Sequence, residues 1–463
     1  MKNTAEKTSE QKIVIMVVVI TAFITTFTGS ALNLSIPDIG QQFSVSANFV
    51  GWLVTGYTLT VAAFSVPVGR LADITCRKTV LVAGLIIFVA CCIAAVFAVS
   101  MVMLLTIRII QGIGAAMIFS TNTAILIAAF PGNMRGRVLG YSLASTYTGL
   151  SAGPVIGGFL NHNFGWKSIF ILTGVLGAAA LIAAVVKLTK DQVQSAGKSF
   201  DITGNALFVS FIILVMYGLS ELGSNESGVL FTAIGITVIG MILGAFFVRH
   251  ELKCDDPAVN VRLFIENIGY AFSNVSAMLN YSATFAISYL ISIYLQIVMG
   301  YSSQTAGLIM IFQPIVVAVC SPVMGRLSDR FSPFKMSSAG MAFCAVGAGI
   351  FIFIGQDTKI YVIIIALLVT GLGFSLFSSP NTNAVMSCVD KEEYGVASSI
   401  LATMRSIGHT LSMVIVTIIV SRYMENAPLA GAEPDVLVKV INTSFIVFTA
   451  ICAAGVFISL KRK

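Results

Sequence analysis

Three uncharged runs, Ile13 to Pro37, Ala47 to Gly69 and Ile360 to Val389, are each longer than the roughly 20 apolar residues needed to cross a hydrocarbon core about 30 Å thick. Each must be a membrane helix, or two joined by a tight turn. The rest of the chain agrees: 57% of its 463 residues are apolar and 10% are charged, too little charge to cover a soluble surface. The first run follows a polar head, Met1 to Gln11, and is longer than the apolar core of a cleavable signal peptide, so it reads as a retained first helix.

Breaks at Gly, Pro, Asn or charge divide the apolar sequence into fourteen predicted helices, at 13–35, 47–70, 78–99, 101–129, 137–160, 167–187, 203–221, 228–248, 268–297, 304–327, 336–355, 359–380, 395–421 and 438–460. With the N-terminus in the cytoplasm, all but six of the 27 Lys and Arg fall in cytoplasmic segments. Arg108 and Arg405 lie within helices, and only Lys167, Lys359, Arg422 and Lys439 fall outside. This is the positive-inside signature, and it predicts a multi-pass cell-membrane protein with both termini cytoplasmic. The net charge of +7 is therefore a topology signal, since no basic amphipathic run accompanies it to suggest a nucleic-acid partner. The eight cysteines form no C-x-x-C spacing and most sit in apolar runs, so neither a disulfide framework, a metal nor a cofactor is expected.

The chain also repeats itself. GRLADITCRK begins at Gly69 and GRLSDRFSPFK at Gly325, each closing an apolar helix and opening a short basic loop. Parallel repeats build the two halves of one large class of secondary transporters around a central site. The spacing between the copies exceeds one six-helix half, and two inserted helices near 203–221 and 228–248 account for the excess. The expected division is a tail (1–12), a first six-helix bundle (13–190), a linker carrying the inserted helices (191–263) and a second bundle with a basic tail (264–463).

At these residues the chain resembles the major facilitator superfamily, and specifically its fourteen-helix branch of drug:proton antiporters. Gly69, Leu71, Asp73, Arg77 and Lys78 resemble the signature loop between the second and third helices, with Cys76 where a glycine is usual. Arg108, Gln111 and Gly112 resemble the R-x-x-Q-G signature of the fourth helix. Gly149, Gly153, Pro154, Gly157 and Gly158 resemble the fifth-helix signature of antiporters and exporters. Asp256 with Pro257, Tyr294 to Gly307 and GVASSI from Gly395 extend the match. The resemblance implies an all-α fold of two six-helix bundles plus two inserted helices, acting on a small-molecule substrate and protons, as a monomer in the bilayer. It also implies that Gly69, Asp73, Arg77 and Lys78, with their second copy at Gly325 and Asp329, form a gate that breaks when the halves rock. Where the branch usually carries an acid in its first helix, this chain has Thr28.

Several residues stand out physically. Arg108 sits within an apolar run, where an unpaired charge costs at least about 2.5–3.5 kcal/mol, so it should face a cavity or polar partners; tying helices together through carbonyls is the alternative. Arg405 and His409 are four apart on one helix face; an interhelical contact on the cytoplasmic side is the alternative, since neither need lie deep in the membrane. The fifth-helix glycines permit close helix approach, and Pro154 frees a carbonyl and allows a bend; packing without gating is the alternative. Asp38, Glu221, Glu226, Glu266 and Asp329 all fall at helix ends or loops. Asp38, Glu221 and His409 are the candidate proton carriers, the first two reading more readily as solvated helix-end charges. Thr28, Asn33, Gln111 and the rings Phe27, Tyr57, Tyr147, Tyr294 and Phe312 are candidates for a pocket between the bundles, where apolar contact is the usual lining.

The expected function is export of small amphipathic or hydrophobic compounds by alternating access driven by protons. The missing first-helix acid weakens the case for cations and favours neutral or anionic compounds. A dedicated exporter of one metabolite or lipid, an uncoupled carrier and a non-transporting sensor are the rivals. No H-E-x-x-H, G-x-S-x-G or phosphate loop is present, which argues against an enzyme and against ATP-driven pumping.

Overall fold

The computed structural model describes residues 2–33, 35–45, 47–188, 199–222, 227–254, 256–259, 261–301, 303–390, 393–424 and 433–461. Among these residues the chain is helical, with no strand. The first part runs α1 (Lys2–Asn33), α2 (Ile36–Phe43), α3 (Ala47–Ile74), α4 (Arg77–Val96), α5 (Met101–Ala129), α6 (Arg135–Phe164) and α7 (Lys167–Lys187). A hairpin of α8 (Ile202–Glu221) and α9 (Ser227–Glu251) and the short α10 (Arg262–Glu266) follow. The second part runs α11 (Ile268–Thr284), α12 (Ile287–Ile293), α13 (Ser303–Met310), α14 (Phe312–Ser328), α15 (Pro333–Phe351), α16 (Ile360–Ser387), α17 (Tyr394–Met424) and α18 (Pro434–Leu460).

Among the described residues, thirteen helical spans are long and apolar enough to cross a membrane. The span expected at 137–160 is present as α6, a helix of 30 residues, but is not one of the thirteen. Gly, Ser, Thr and Asn occupy much of it because it packs between α1 and α14. Small and polar side chains suit such helix contacts better than they suit lipid.

Four local departures have physical causes. The helix expected from residue 13 starts at Lys2, since Lys, Glu, Ala and Gln extend an existing helix at little cost. The span expected at 268–297 breaks after Thr284, where the Ala286 N–H donates to Ser412 Oγ at 3.1 Å, and it ends in a π-helical turn, Tyr294–Val298. The span expected at 304–327 breaks at Ile311, four residues or fewer before Pro314, whose ring cannot tolerate the carbonyl one turn back. The helix expected to end at Pro380 continues to Ser387, its polar residues being buried.

The two parts pack alike. α4 lies between α5 and α7, and α15 between α16 and α18; α1 lies on α6 and α7, and α11 on α17 and α18. Across the divide α3 meets α17, and in the corresponding place α14 meets α6. The α8–α9 hairpin breaks this symmetry, because α8 packs against both α3 and α17. Phe208, Ile212 and Met216 of α8 are buried with Ala62, Val66, Val396 and Ile400. The face at which α1 begins is called the N-face below; there Gln11 Nε2 donates to the carbonyl of Ala129 at 3.0 Å, joining the start of α1 to the end of α5.

Candidate functional site

The repeated loop motif forms two matching contacts between the halves. At the end of α3 the Asp73 carboxylate accepts the Gly395 N–H at 3.1 Å and the Val396 N–H at 3.0 Å, the first turn of α17. At the end of α14 the Asp329 carboxylate accepts the Gly136 N–H at 2.5 Å and the Arg137 N–H at 2.9 Å, the first turn of α6. A carboxylate there satisfies two amides that have no partner within their own helix and meets the positive end of the helix dipole. Close backbone approach makes both contacts possible. A methyl on Gly395 would lie 2.6 Å from an Asp73 oxygen and 2.7 Å from the carbonyl of Gly69. At the other contact Gly136 and Gly325 meet in the same way, and either Cβ would run into the opposite backbone.

The surroundings of the two carboxylates differ. Arg77 Nη2 pairs with Asp73 Oδ1 at 2.8 Å, both side chains being buried, and the Arg77 and Arg135 guanidiniums lie 5.9 and 5.4 Å from the Tyr394 ring centre. Lys78 Nζ donates to the Val185 carbonyl at 3.0 Å and to that of Leu188, closing the end of α7. Asp329 is half-buried, and among the described residues its carboxylate has no ion pair. Burial lifts its pKa above the ordinary carboxylate range, opposed by the two amide bonds.

Between these contacts and the far face lies a cluster of rings and one arginine. Arg405 is about 16 Å along α17 from Tyr394 at helical rise, near the middle of a bilayer's thickness. Its Nη2 donates to Thr382 Oγ1 at 2.6 Å, and its guanidinium lies 5.5 Å from the Tyr281 ring centre. Phe374 stands between Tyr281 and Tyr147, with ring centres 5.2 and 5.0 Å away. His409 stacks on Phe285 at 4.1 Å and meets Tyr281 at 5.2 Å. Tyr147 comes from α6 and the other members from α11, α16 and α17 or the α11–α12 break, so the cluster joins the two halves.

Arg108 is fully buried within the first half. Its Nε donates to the Leu53 carbonyl at 3.2 Å and Nη1 to Gln111 Oε1 at 2.6 Å; Gln111 Nε2 reaches Cys92 Sγ at 3.1 Å. The guanidinium covers the Tyr57 ring at 4.1 Å, and among the described residues its Nη2 has no hydrogen-bond partner. The Tyr57 hydroxyl points at the Thr25 carbonyl of α1, 3.5 Å away. Thr28 turns its hydroxyl back onto the Ile24 carbonyl at 2.6 Å.

The remaining sequence candidates lie apart from both groups. Gly149, Gly153 and Gly157 press α6 onto Phe23, Thr26, Ser30 and Ala31 of α1, and Gly158 is half-buried. Phe27 stacks on Phe23 at 5.3 Å, and Tyr294 donates to the Gly355 carbonyl at 2.6 Å, tying down the α15–α16 connection. Phe312 begins α14, 37% exposed. Asp38 is exposed and accepts from Asn161, and Glu221 closes α8 half-buried. Glu226 and the side chains of Asn33 and Pro154 lie outside the described residues. Asp201, His250 and Cys254 converge at the N-face end of the α8–α9 hairpin. There Asp201 caps α8 through the Gly204 N–H at 2.9 Å and pairs with His250 at 2.9 Å.

Tyr281, Phe285, Phe374, Thr382 and Ser378, whose hydroxyl lies 3.0 Å from that of Tyr281, were not among the sequence candidates. A signal for part of this group was present: Ser378, Ser379, Asn381, Thr382 and Asn383 form a nearly continuous polar run around Pro380, expensive anywhere but against protein or a cavity.

A family model for the Major Facilitator Superfamily matches residues 18–413 and 271–462, and the chain belongs to that superfamily. Membership makes it a transporter rather than an enzyme, and its relatives include proteins named as multidrug resistance protein, methylenomycin A resistance protein and drug efflux pump. It is similar to the riboflavin transporter RibZ of Clostridioides difficile (strain 630), 28% identical over 97% of this chain and 96% of the relative. It is also similar to the multidrug resistance protein Stp of Mycobacterium tuberculosis (strain ATCC 25618 / H37Rv), 27% identical over 90% of this chain and 78% of the relative. The crystal structure of the human organic anion transporter MFSD10 (TETRAN) shares the fold, with a TM-score of 0.67 at 13% identity over 98% of this chain and 99% of that one.

Proposed function

We propose that this transporter exports small amphipathic or hydrophobic compounds across the cell membrane by alternating access, in exchange for protons, with α6 as its fourteenth crossing and the N-face in the cytoplasm. Planar aromatic compounds, neutral or anionic, are the preferred cargo. The observation that carries this reading is the ring cluster at Arg405: aromatic faces from both halves, a guanidinium and hydroxyls at mid-depth, with no carboxylate among the described residues at that depth. Stacking surface with one fixed cation suits a flat acceptor-rich molecule better than a cationic dye. The Asp73 and Asp329 contacts hold the cytoplasmic side shut in the described arrangement, and rocking of the halves breaks them. Arg108 braces the first half beside the path, and His409, stacked on Phe285 and against Tyr281, is the candidate proton carrier nearest the rings. The protein works as a monomer in this reading.

A dedicated carrier of one flavin-like metabolite is the second reading, favoured by the near full-length similarity to a riboflavin transporter. One experiment separates the two. Inverted vesicles with an acid-inside proton gradient receive riboflavin and cationic, neutral and anionic fluorescent dyes, comparing wild type with Arg405→Gln and Arg108→Gln. Uptake of several compounds that stops with an uncoupler and with Arg405→Gln supports proton-driven multidrug export. Uptake of riboflavin alone supports the dedicated carrier. Unchanged uptake in Arg405→Gln overturns the proposed site.

A further inference from the structure

The two seams between the halves are alike by symmetry, but only one is covered by the α8–α9 hairpin. The α3–α17 seam lies under α8. At the α6–α14 seam a cavity of about 470 Å³ remains at the N-face end, lined by Arg137 and Tyr141 of α6 and by Arg326 and, just past the end of α14, Arg330. Arg137 Nε donates to the Tyr141 hydroxyl at 2.9 Å, and among the described residues none of the three guanidiniums has a carboxylate partner. The nearby Asp329 is held on the Gly136 and Arg137 amides and, among the described residues, forms no ion pair with them, so its single negative charge leaves the three guanidiniums in excess. Three cations around one cavity repel one another unless an anion enters.

The wall of the cavity says which anion. Val319, Val323, Leu327 and Phe331 are spaced four apart along α14 and its end, and all are exposed, at 67%, 53%, 38% and 62%. This stripe faces outward from the bundle and leads directly to Arg326 and Arg330, which are themselves exposed. A free phosphate has no use for such a stripe, whereas an acyl chain would cover it. We propose that the cavity binds the phosphate headgroup of an anionic phospholipid in the N-face leaflet, with its chains along the α14 stripe. Because its arginines come from both α6 and α14, the bound lipid braces the seam that Asp329 closes. Basic pockets between membrane helices commonly hold such headgroups.

The test uses the purified full-length protein in detergent, reading the thermal unfolding midpoint and bound lipids by native mass spectrometry. The probes are phosphatidylglycerol, phosphatidylcholine and inorganic phosphate. Phosphatidylglycerol is expected to bind and raise the wild-type midpoint, and the other two are not. The shift should disappear in Arg326→Gln/Arg330→Gln and shrink in Val323→Asp, which keeps every arginine. It should persist in Lys359→Gln/Lys439→Gln, which removes equal charge at the far face. Each variant's midpoint in phosphatidylcholine checks its fold, and Arg330→Gln alone replaces the double variant if that fails to fold. A phosphatidylglycerol shift that survives loss of the arginines, or that phosphatidylcholine or inorganic phosphate reproduces, overturns the proposal.

Discussion

Asp73 and Asp329 do the same work from symmetric positions, yet one is enclosed and the other open. Asp73 is 2% exposed, paired with Arg77 beside a seam that α8 covers. Asp329 is half-buried, without an ion pair among the described residues, beside a seam that opens on three arginines and an apolar stripe. The same two-amide contact is thus enclosed and ion-paired in one copy and open beside three arginines in the other. Two helices inserted between the repeats are enough to make that difference, because they cover one flank only.

Unequal effects of substitution would sharpen this comparison, and equal ones would break it. Asp73→Ala removes the buried carboxylate that pairs with Arg77 and accepts two helix-end amides; removing one partner of a buried ion pair costs about 3–5 kcal/mol, so vesicle flux should fall by about two orders of magnitude. Gly395→Ala retains every charge but inserts a methyl between Asp73 and Gly69, and overpacking of about 1–3 kcal/mol should lower flux by about tenfold or more. Asp329→Ala removes charge-assisted hydrogen bonds worth about 1.5–3 kcal/mol without stranding a partner cation, so its flux should fall by about tenfold. If Asp73→Ala and Asp329→Ala reduce flux equally, the asymmetry has no functional weight. Lys78→Ala loses only a cation at the end of α7, worth about 0.3–1 kcal/mol, and should lower the unfolding midpoint slightly with flux nearly unchanged.

The repeat and the carboxylates that cap the facing helices were legible in the sequence because each depends on a local rule. Apolar length marks a span, Lys and Arg mark its sidedness, and an acid at a helix end looks for unpaired amides. Arg108 was legible as a charge needing polar partners, and it has Leu53, Gln111 and the Tyr57 ring. The cluster around Arg405 was only half legible. His409 and Arg405 share a face by spacing, but Tyr281, Phe374 and Thr382 reach them from α11 and α16, and no local pattern encodes such a meeting. Aromatic identity alone misdirected the search: Tyr294 binds a loop carbonyl and Phe27 packs within its own half, because rings fill cores as readily as they line pockets. The open α6–α14 seam was invisible for the same reason, since its three arginines read singly as topology signals.

The account requires that the seam closed at the N-face open during each transport cycle. Thr403 Oγ1 of α17 reaches the Ala62 carbonyl of α3 at 3.3 Å, so cysteines at these two positions, in a background lacking the native ones, can tie the halves together. Flux in vesicles should be lost when the pair is joined by oxidation or a short thiol-reactive linker, and should return on reduction. Continued flux with the pair fully joined would contradict the account.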